Sequence, residues 1–146
     1  MSTTYFDDLP VGETHELGSY TVTEDEIVDF ATQYDPQSFH VDRAAASEGA
    51  FGDLIASGWH TAAITMALLV DGLLEDVAVV GAVGVDDLRW RVPVFGGDEL
   101  RASATIGDKD DWDESKGLVE FDIETVRQDG ETALSRTDLV LVERDR

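Results

Sequence analysis

The chain contains no cysteine and only two lysines, Lys109 and Lys116. The first absence removes disulfides, thiolate nucleophiles and thiolate metal ligands from consideration. Proline occurs three times, at positions 10, 36 and 93, so each one marks a definite interruption of the backbone pattern. No segment approaches the roughly 20 consecutive apolar residues that cross a bilayer. Residues 1–8, Met1-Ser2-Thr3-Thr4-Tyr5-Phe6-Asp7-Asp8, carry neither the basic region nor the apolar block of a signal peptide. One domain over residues 1–146, located in the cytoplasm and without a membrane partner, is the expectation.

What is present in excess is acid. Asp and Glu number 32 against 10 Lys and Arg, a formal net charge of −22. Such a surface repels nucleic acid and anionic lipid at low salt. The acids are interspersed with apolar residues throughout, and the hydrophobic fraction of 42% is ordinary for a globular domain rather than a disordered tail. The composition reads as a folded protein of a high-salt cytoplasm, such as that of a halophilic archaeon, where concentrated ions screen the self-repulsion.

Along the chain, Ser19-Tyr20-Thr21-Val22 is a short β-type run. Thr23-Glu24-Asp25-Glu26 has the form of a capping box, Thr at the cap and Glu three residues on. It opens an amphipathic helix with Ile27, Phe30 and Ala31 on one face, and Pro36 ends that helix at Asp35 or just before. Residues 41–50 are alanine-rich and predict a short second helix. From Ser57-Gly58-Trp59-His60-Thr61 the chain enters a run, Ala62 to Val70, that is apolar on nearly every face, which predicts a helix buried all round. The period then changes. Val77 to Val85, Leu88 to Val94, Leu100 to Ile106, Leu118 to Val126 and Thr132 to Val142 are strand-like, and Asp129-Gly130 is a hairpin signal between the last two. One buried helix followed by antiparallel strands is an α+β order. Its economical arrangement is a single hot-dog domain, an antiparallel sheet wrapped around a long central helix.

Two groups of residues can carry chemistry. In Asp35-Pro36-Gln37-Ser38-Phe39-His40-Val41-Asp42 a carboxylate and an imidazole stand five positions apart in a stretch that Pro36 keeps out of a regular helix. Such a loop can turn both proton-handling groups into one pocket, an arrangement suited to moving water across a polarised double bond. Gly58, at the start of the central helix, lets a carbonyl approach first-turn amides that have no intrahelical acceptor. Those amides could stabilise an enolate-like oxygen. Taken singly, a turn-capping Asp35, an ordinary buried His40 and a turn glycine account for each of these features.

Together they resemble a family. The run from Phe30 to Asp42 is similar to the hydratase motif of MaoC-like dehydratases and R-specific enoyl-CoA hydratases. In that motif a catalytic Asp and a catalytic His are separated by four residues. Phe51-Gly52-Asp53-Leu54-Ile55-Ala56-Ser57-Gly58 resembles the family's entry into the central helix. Leu88-Arg89-Trp90-Arg91-Val92-Pro93-Val94-Phe95-Gly96-Gly97-Asp98 resembles its Pro- and Gly-Asp-containing strand and turn. Ser57 and Trp59 depart from the His and the aliphatic residue that often flank this glycine in the family, and Pro36 follows Asp35 directly.

The resemblance implies a hydro-lyase of fatty acid metabolism acting on an enoyl-CoA or related acyl-thioester. Asp35 and His40 are then the acid–base pair and Gly58 the oxyanion-hole amide. No cofactor or metal is implied, coenzyme A arriving as part of the substrate. The assembly implied is a homodimer or higher homo-oligomer, sheets joined edge to edge and sites near the interface. Phe39, Ser57, Trp59 and Thr65 are candidate substrate-binding residues, Thr65 as a hydrogen-bond partner of Asp35. His60 could face the pocket, and Arg89 and Arg91 could meet the phosphates of coenzyme A. Two alternatives stand beside this reading, a hot-dog acyl-CoA thioesterase and a non-catalytic acyl-thioester-binding subunit. The second of these would not need both Asp35 and His40.

The charge yields a prediction of its own. The Debye length is about 3 Å in molar salt and about 30 Å at 0.01 M. Lowering salt across that range should dissociate or unfold the protein, with activity falling in parallel. Circular dichroism and size-exclusion chromatography across a salt series measure it. An unchanged dimer and melting temperature at 0.01 M would rule out a halophilic surface.

Overall fold

Thr23 caps the first long helix as the capping box predicts. Its hydroxyl accepts from Glu26 N–H at 3.2 Å, and Glu26 Oε1 accepts from Thr23 N–H at 3.2 Å. The helix, α1, spans Glu24–Tyr34 and stops at Asp35, before Pro36. In this computed structural model residues 2–145 are described. A 3₁₀ turn at Phe6–Asp8 leads to β1 (Thr14–Thr21), which precedes α1. The short α2 (Ser38–Val41) and α3 (Arg43–Ser47) follow, then α4 (Gly58–Gly72) and a 3₁₀ turn at Leu74–Asp76. The chain ends in β2 (Val79–Trp90), β3 (Glu99–Asp111), β4 (Lys116–Arg127) and β5 (Thr132–Glu143).

The strands form one antiparallel sheet in the order β1-β3-β4-β5-β2. The chain leaves one edge strand, β1, and must cross the whole sheet to begin the other, β2. α4 lies in that crossing, which makes it the central helix of an α+β hot-dog fold. β3, β4 and β5 alternate buried and outward residues, as a sheet with one wet face should. Their inward residues, among them Leu100, Ile106, Phe121, Val140 and Val142, close on Ile64, Leu68 and Leu69 of α4.

Three expectations need correction. The runs Val77 to Val85 and Leu88 to Val94 are one bent strand rather than two. Asp87 takes a left-handed conformation (φ 54°) where the register against β5 shifts, and an aspartate tolerates that geometry. The predicted helix over 41–50 is confined to Arg43–Ser47, capped by Asp42 Oδ1 accepting from Ala44 and Ala45 N–H. Nor is α4 buried on every face: Met66 and Val70 are about 40% exposed (40% and 38%). β2 behaves similarly. No residue in it is buried, and Val80, Val83, Val85 and Trp90 lie at least 45% open on an edge strand.

Two of the ten cationic residues hold the N-terminal turn. Lys109 Nζ lies 4.5 Å above the Phe6 ring and donates to Leu9 O at 2.8 Å. The Arg144 guanidinium lies 4.6 Å from the same ring and pairs with Asp7 and Asp111. Gly117 makes room for this ring, since a Cβ there would come within 2.5 Å of Phe6 Cδ1 and Cζ. The other lysine, Lys116, pairs with Asp113 at 2.6 Å. Phe6→Ala should therefore cost about 3–5 kcal/mol, the usual loss for a buried Phe. Urea unfolding at fixed molar salt measures it, and a loss below about 1 kcal/mol would show that the turn is not anchored through this ring.

Candidate active site

The segment after α1 places two side chains against each other. Asp35 is the C-cap of α1, its N–H still donating to Ala31 O at 2.8 Å. Pro36 cannot continue the helix. The chain restarts as the single turn α2, so His40 is carried on a helical turn rather than on the irregular loop its spacing predicts. That turn folds His40 back over the end of α1, with Nε2 3.3 Å from Asp35 Oδ2. His40 is buried and Asp35 partly so.

Each group is fixed by neighbours. His40 Nδ1 lies 2.6 Å from the carbonyl of Ile55, which can only accept. Nδ1 therefore carries a proton, and Nε2 is the nitrogen turned towards Asp35. The Phe39 ring packs against the imidazole at 4.4 Å, interplanar angle 61°. Asp35 Oδ2 accepts from Ser57 Oγ at 2.7 Å, and Oδ1 accepts from Gln37 Nε2 at 2.7 Å. The Ser57 bond is the main reason that the Asp35 pKa falls below its ordinary value, with Gln37 and the facing His40 adding to it and partial burial opposing. Asp35 is thus a carboxylate at neutral pH.

Ser57 does a second thing. Its Oγ accepts from Trp59 N–H at 3.2 Å and so caps α4. His60 and Thr61 N–H both donate to Ser57 O, at 2.9 and 3.1 Å. Of the first-turn amides of α4, that leaves Gly58 N–H without an acceptor among the described residues. Gly58 itself has ordinary helical φ, so its lack of a side chain is not explained by strain. The reason is Trp90. A Cβ on Gly58 would run into the indole, 2.5 Å from Cδ2, 2.7 Å from Nε1 and closer still to Cε2.

A cavity of about 240 Å³ opens beside these groups. His40, Gly58, Thr61 and Trp90 line it together with apolar residues including Phe51, Ile55, Val92 and Val94. Asp35, Phe39, Ser57, Trp59 and Thr65 lie outside that lining, Asp35 reaching it only through His40. Ser57 is wholly buried behind Asp35, and Trp59 is 57% exposed with its ring edge-on to Trp90. The Thr65 hydroxyl is not on Asp35. It donates to Thr61 O at 2.9 Å and pairs with Thr125 Oγ1 at 2.8 Å, so the partner expected in Thr65 is Ser57 instead. His60 is buried against Phe30, rings stacked at 4.7 Å, and burial lowers its pKa. Arg91 touches the cavity and donates to Ser135. With Arg89 it also lines a hollow on the outer face of the sheet, beside Ser103 and Asp122. The sequence reading missed Gln37, the Ile55 carbonyl and Trp90 as parts of the site. Gln37 and Trp90 stand within the quoted motifs, whereas no sequence signal marks a carbonyl.

Ser57→Ala should raise the Asp35 pKa towards its ordinary 3.8. A carboxyl with a depressed folded-state pKa adds stability that is fully present above its unfolded value and lost as pH falls through the folded one. The variant should thus lose part of that stability above about pH 4 and differ least in strong acid. Carboxyl ¹³C shifts followed by pH titration report the pKa, and an unchanged value would remove Ser57 from this role.

The comparisons with known proteins bear on the fold and the family. Among solved structures, the MaoC-like dehydratase of Rhodospirillum rubrum is 37% identical and superposes with a TM-score of 0.89, covering 97% of this chain and 98% of that one. The monoamine oxidase regulatory protein of Archaeoglobus is 31% identical with a TM-score of 0.93, covering 100% and 98%. The (R)-hydratase of A. caviae is 26% identical with a TM-score of 0.74, covering 90% and 96%. Residues 8–127 match the family model described as MaoC like domain. The matched span holds Asp35, His40, Ser57, Gly58 and Trp90, and the chain belongs to the MaoC-like domain family.

Proposed function

We propose that this protein is a hydratase/dehydratase that adds water across, or removes it to form, the α,β double bond of an enoyl-CoA or related acyl-thioester. The observation that carries the reading is the Asp35–His40 pair, oxygen to nitrogen at 3.3 Å, with the far side of each group already engaged. At that distance no water fits between the two atoms, but one water beside them can hydrogen-bond to both at once. Held next to His40, which lines the cavity, it is placed to meet a substrate there.

The free Gly58 amide, at the positive end of the α4 dipole, is the donor for the thioester carbonyl. Polarising that carbonyl withdraws electrons from the double bond and exposes the β-carbon. As water oxygen bonds there, the pair takes one of its protons, and charge gathers on the carbonyl oxygen as an enolate. The pair then returns that proton to the α-carbon, so one water has been added and the pair is restored. Dehydration is the reverse. Hydrolysis of the thioester would direct the water at the carbonyl carbon instead. The family and the (R)-hydratase likeness favour hydration.

The exposed apolar residues of β2 support a second part of the reading, a homodimer joined along that edge. An unpaired strand carrying Val80, Val83 and Val85 open to solvent is an aggregation hazard unless covered, and pairing with a second copy would also cover Met66 and Val70 of α4.

Turnover of a panel of enoyl- and 3-hydroxyacyl-CoAs in molar salt tests the function. Asp35→Asn and His40→Ala should each lower kcat about 10²–10⁴-fold with little change in melting temperature. Both groups serve one water, so the double variant should lose far less than the product of the single losses. Wild-type turnover in either single variant removes that residue from the chemistry.

A further inference from the structure

We infer that the indole of Trp90 walls the site beside the carbonyl position and selects straight-chain acyl groups over those branched at the α-carbon. The inference rests on the acyl-thioester reading above and names the substrate class within it.

The first-turn amide free to hold a carbonyl is that of Gly58, so the carbonyl must come to rest beside the Gly58 backbone. That place is bounded on one side by the fused edge of the Trp90 ring, which fills the space a Gly58 side chain would occupy. The ring is braced on its Trp59 side, with 45% of Trp90 left open. Trp90 is the last residue of β2, its backbone is in register with Leu134 of β5, and its indole meets Trp59 edge-on at 4.9 Å and 81°. A group bonded to the carbonyl carbon therefore passes a flat, supported, apolar surface. An α-methyl widens the acyl group at the atom that makes this passage. Either the carbonyl leaves the amide or the indole leaves its packing, and both weaken binding.

The cavity beyond is consistent with a small acyl group. Its volume of about 240 Å³ falls below the ~300–1,000 Å³ typical of sites for drug-sized ligands. One misplaced carbon in such a pocket is worth roughly 10–200-fold.

Butyryl-CoA and isobutyryl-CoA have the same atoms and differ in the branch alone, and neither carries a double bond to hydrate. Their dissociation constants, measured by titration calorimetry in molar salt, read the wall without turnover. The wild type should prefer butyryl-CoA by roughly 10–200-fold. Trp90→Ala should bring the two within about threefold, chiefly by improving isobutyryl-CoA, a gain that general loosening of the fold would not produce. Trp90→Phe, which keeps a ring in place, should retain most of the preference. Trp90→Leu carries the same comparison if the alanine variant fails to fold. Equal binding by the wild type, or an undiminished preference in the truncated variant, overturns the wall. Binding with the expected preference but no turnover of any enoyl-CoA overturns the hydratase reading and leaves the wall standing. Turnover with an unchanged preference does the reverse, and failure of both thioesters to bind overturns both.

Discussion

The site needs a carboxylate at the end of one helix to stay within hydrogen-bond reach of the first turn of another, and the two belong to segments that share no continuous secondary structure. The Ser57 hydroxyl makes the connection, donating to Asp35 and accepting from the Trp59 amide. Because a hydroxyl offers one donor and acceptor lone pairs, a single side chain can terminate α4 and orient the carboxylate at once. It also leaves the neighbouring Gly58 amide free, since the cap is made at the next residue. The orientation of Asp35, its lowered pKa and the open amide all follow from that one bridge. His40 is tethered separately, through the carbonyl of Ile55, only two residues before Ser57. Both halves of the pair therefore take their positions from residues 55–57, the strand-like entry to the central helix.

Much of this was legible in the sequence, for local reasons. The capping box at Thr23–Glu26, the stop before Pro36 and the turn at Asp129-Gly130 depend on side chains close to one another in the chain, and each stands where its pattern predicts. Asp35 meets His40, and His40 and Gly58 line one cavity. What the sequence could not show was set by contacts between distant segments. Ser57 rather than Thr65 holds Asp35, because Thr65 faces Thr125 across the core. Gly58 meets Trp90 across 32 positions of chain, a juxtaposition that no spacing rule encodes. The bend at Asp87 falls between two strand-like runs of the sequence, and a left-handed aspartate within one strand looks the same in one dimension as a gap between two.

The surface divides into two unlike regions. The outer side of the sheet is crowded with acid: the Glu120 pKa is raised, first by its partial burial and then by the carboxylates of Asp108, Asp122, Asp110 and Asp86. The edge strand β2 and the open side of α4 instead present valines, a tryptophan and a methionine. Repulsion spread over one region and apolar area concentrated in another work together. The first discourages association in general, and the second leaves one edge where burying apolar area would favour it.

The two lysines have a chemical consequence of their own. An activated thioester acylates free amines and thiolates in its surroundings, so a protein that binds such compounds is itself a target. This chain has no thiol to offer, and neither lysine is idle. The Lys109 ammonium is held by the Leu9 carbonyl and the face of Phe6, and that of Lys116 by Asp113. Each is engaged by its partners and is not presented freely to solvent. The scarcity of lysine, read above as a matter of charge, leaves few amines for the acyl-thioesters proposed as substrates to acylate.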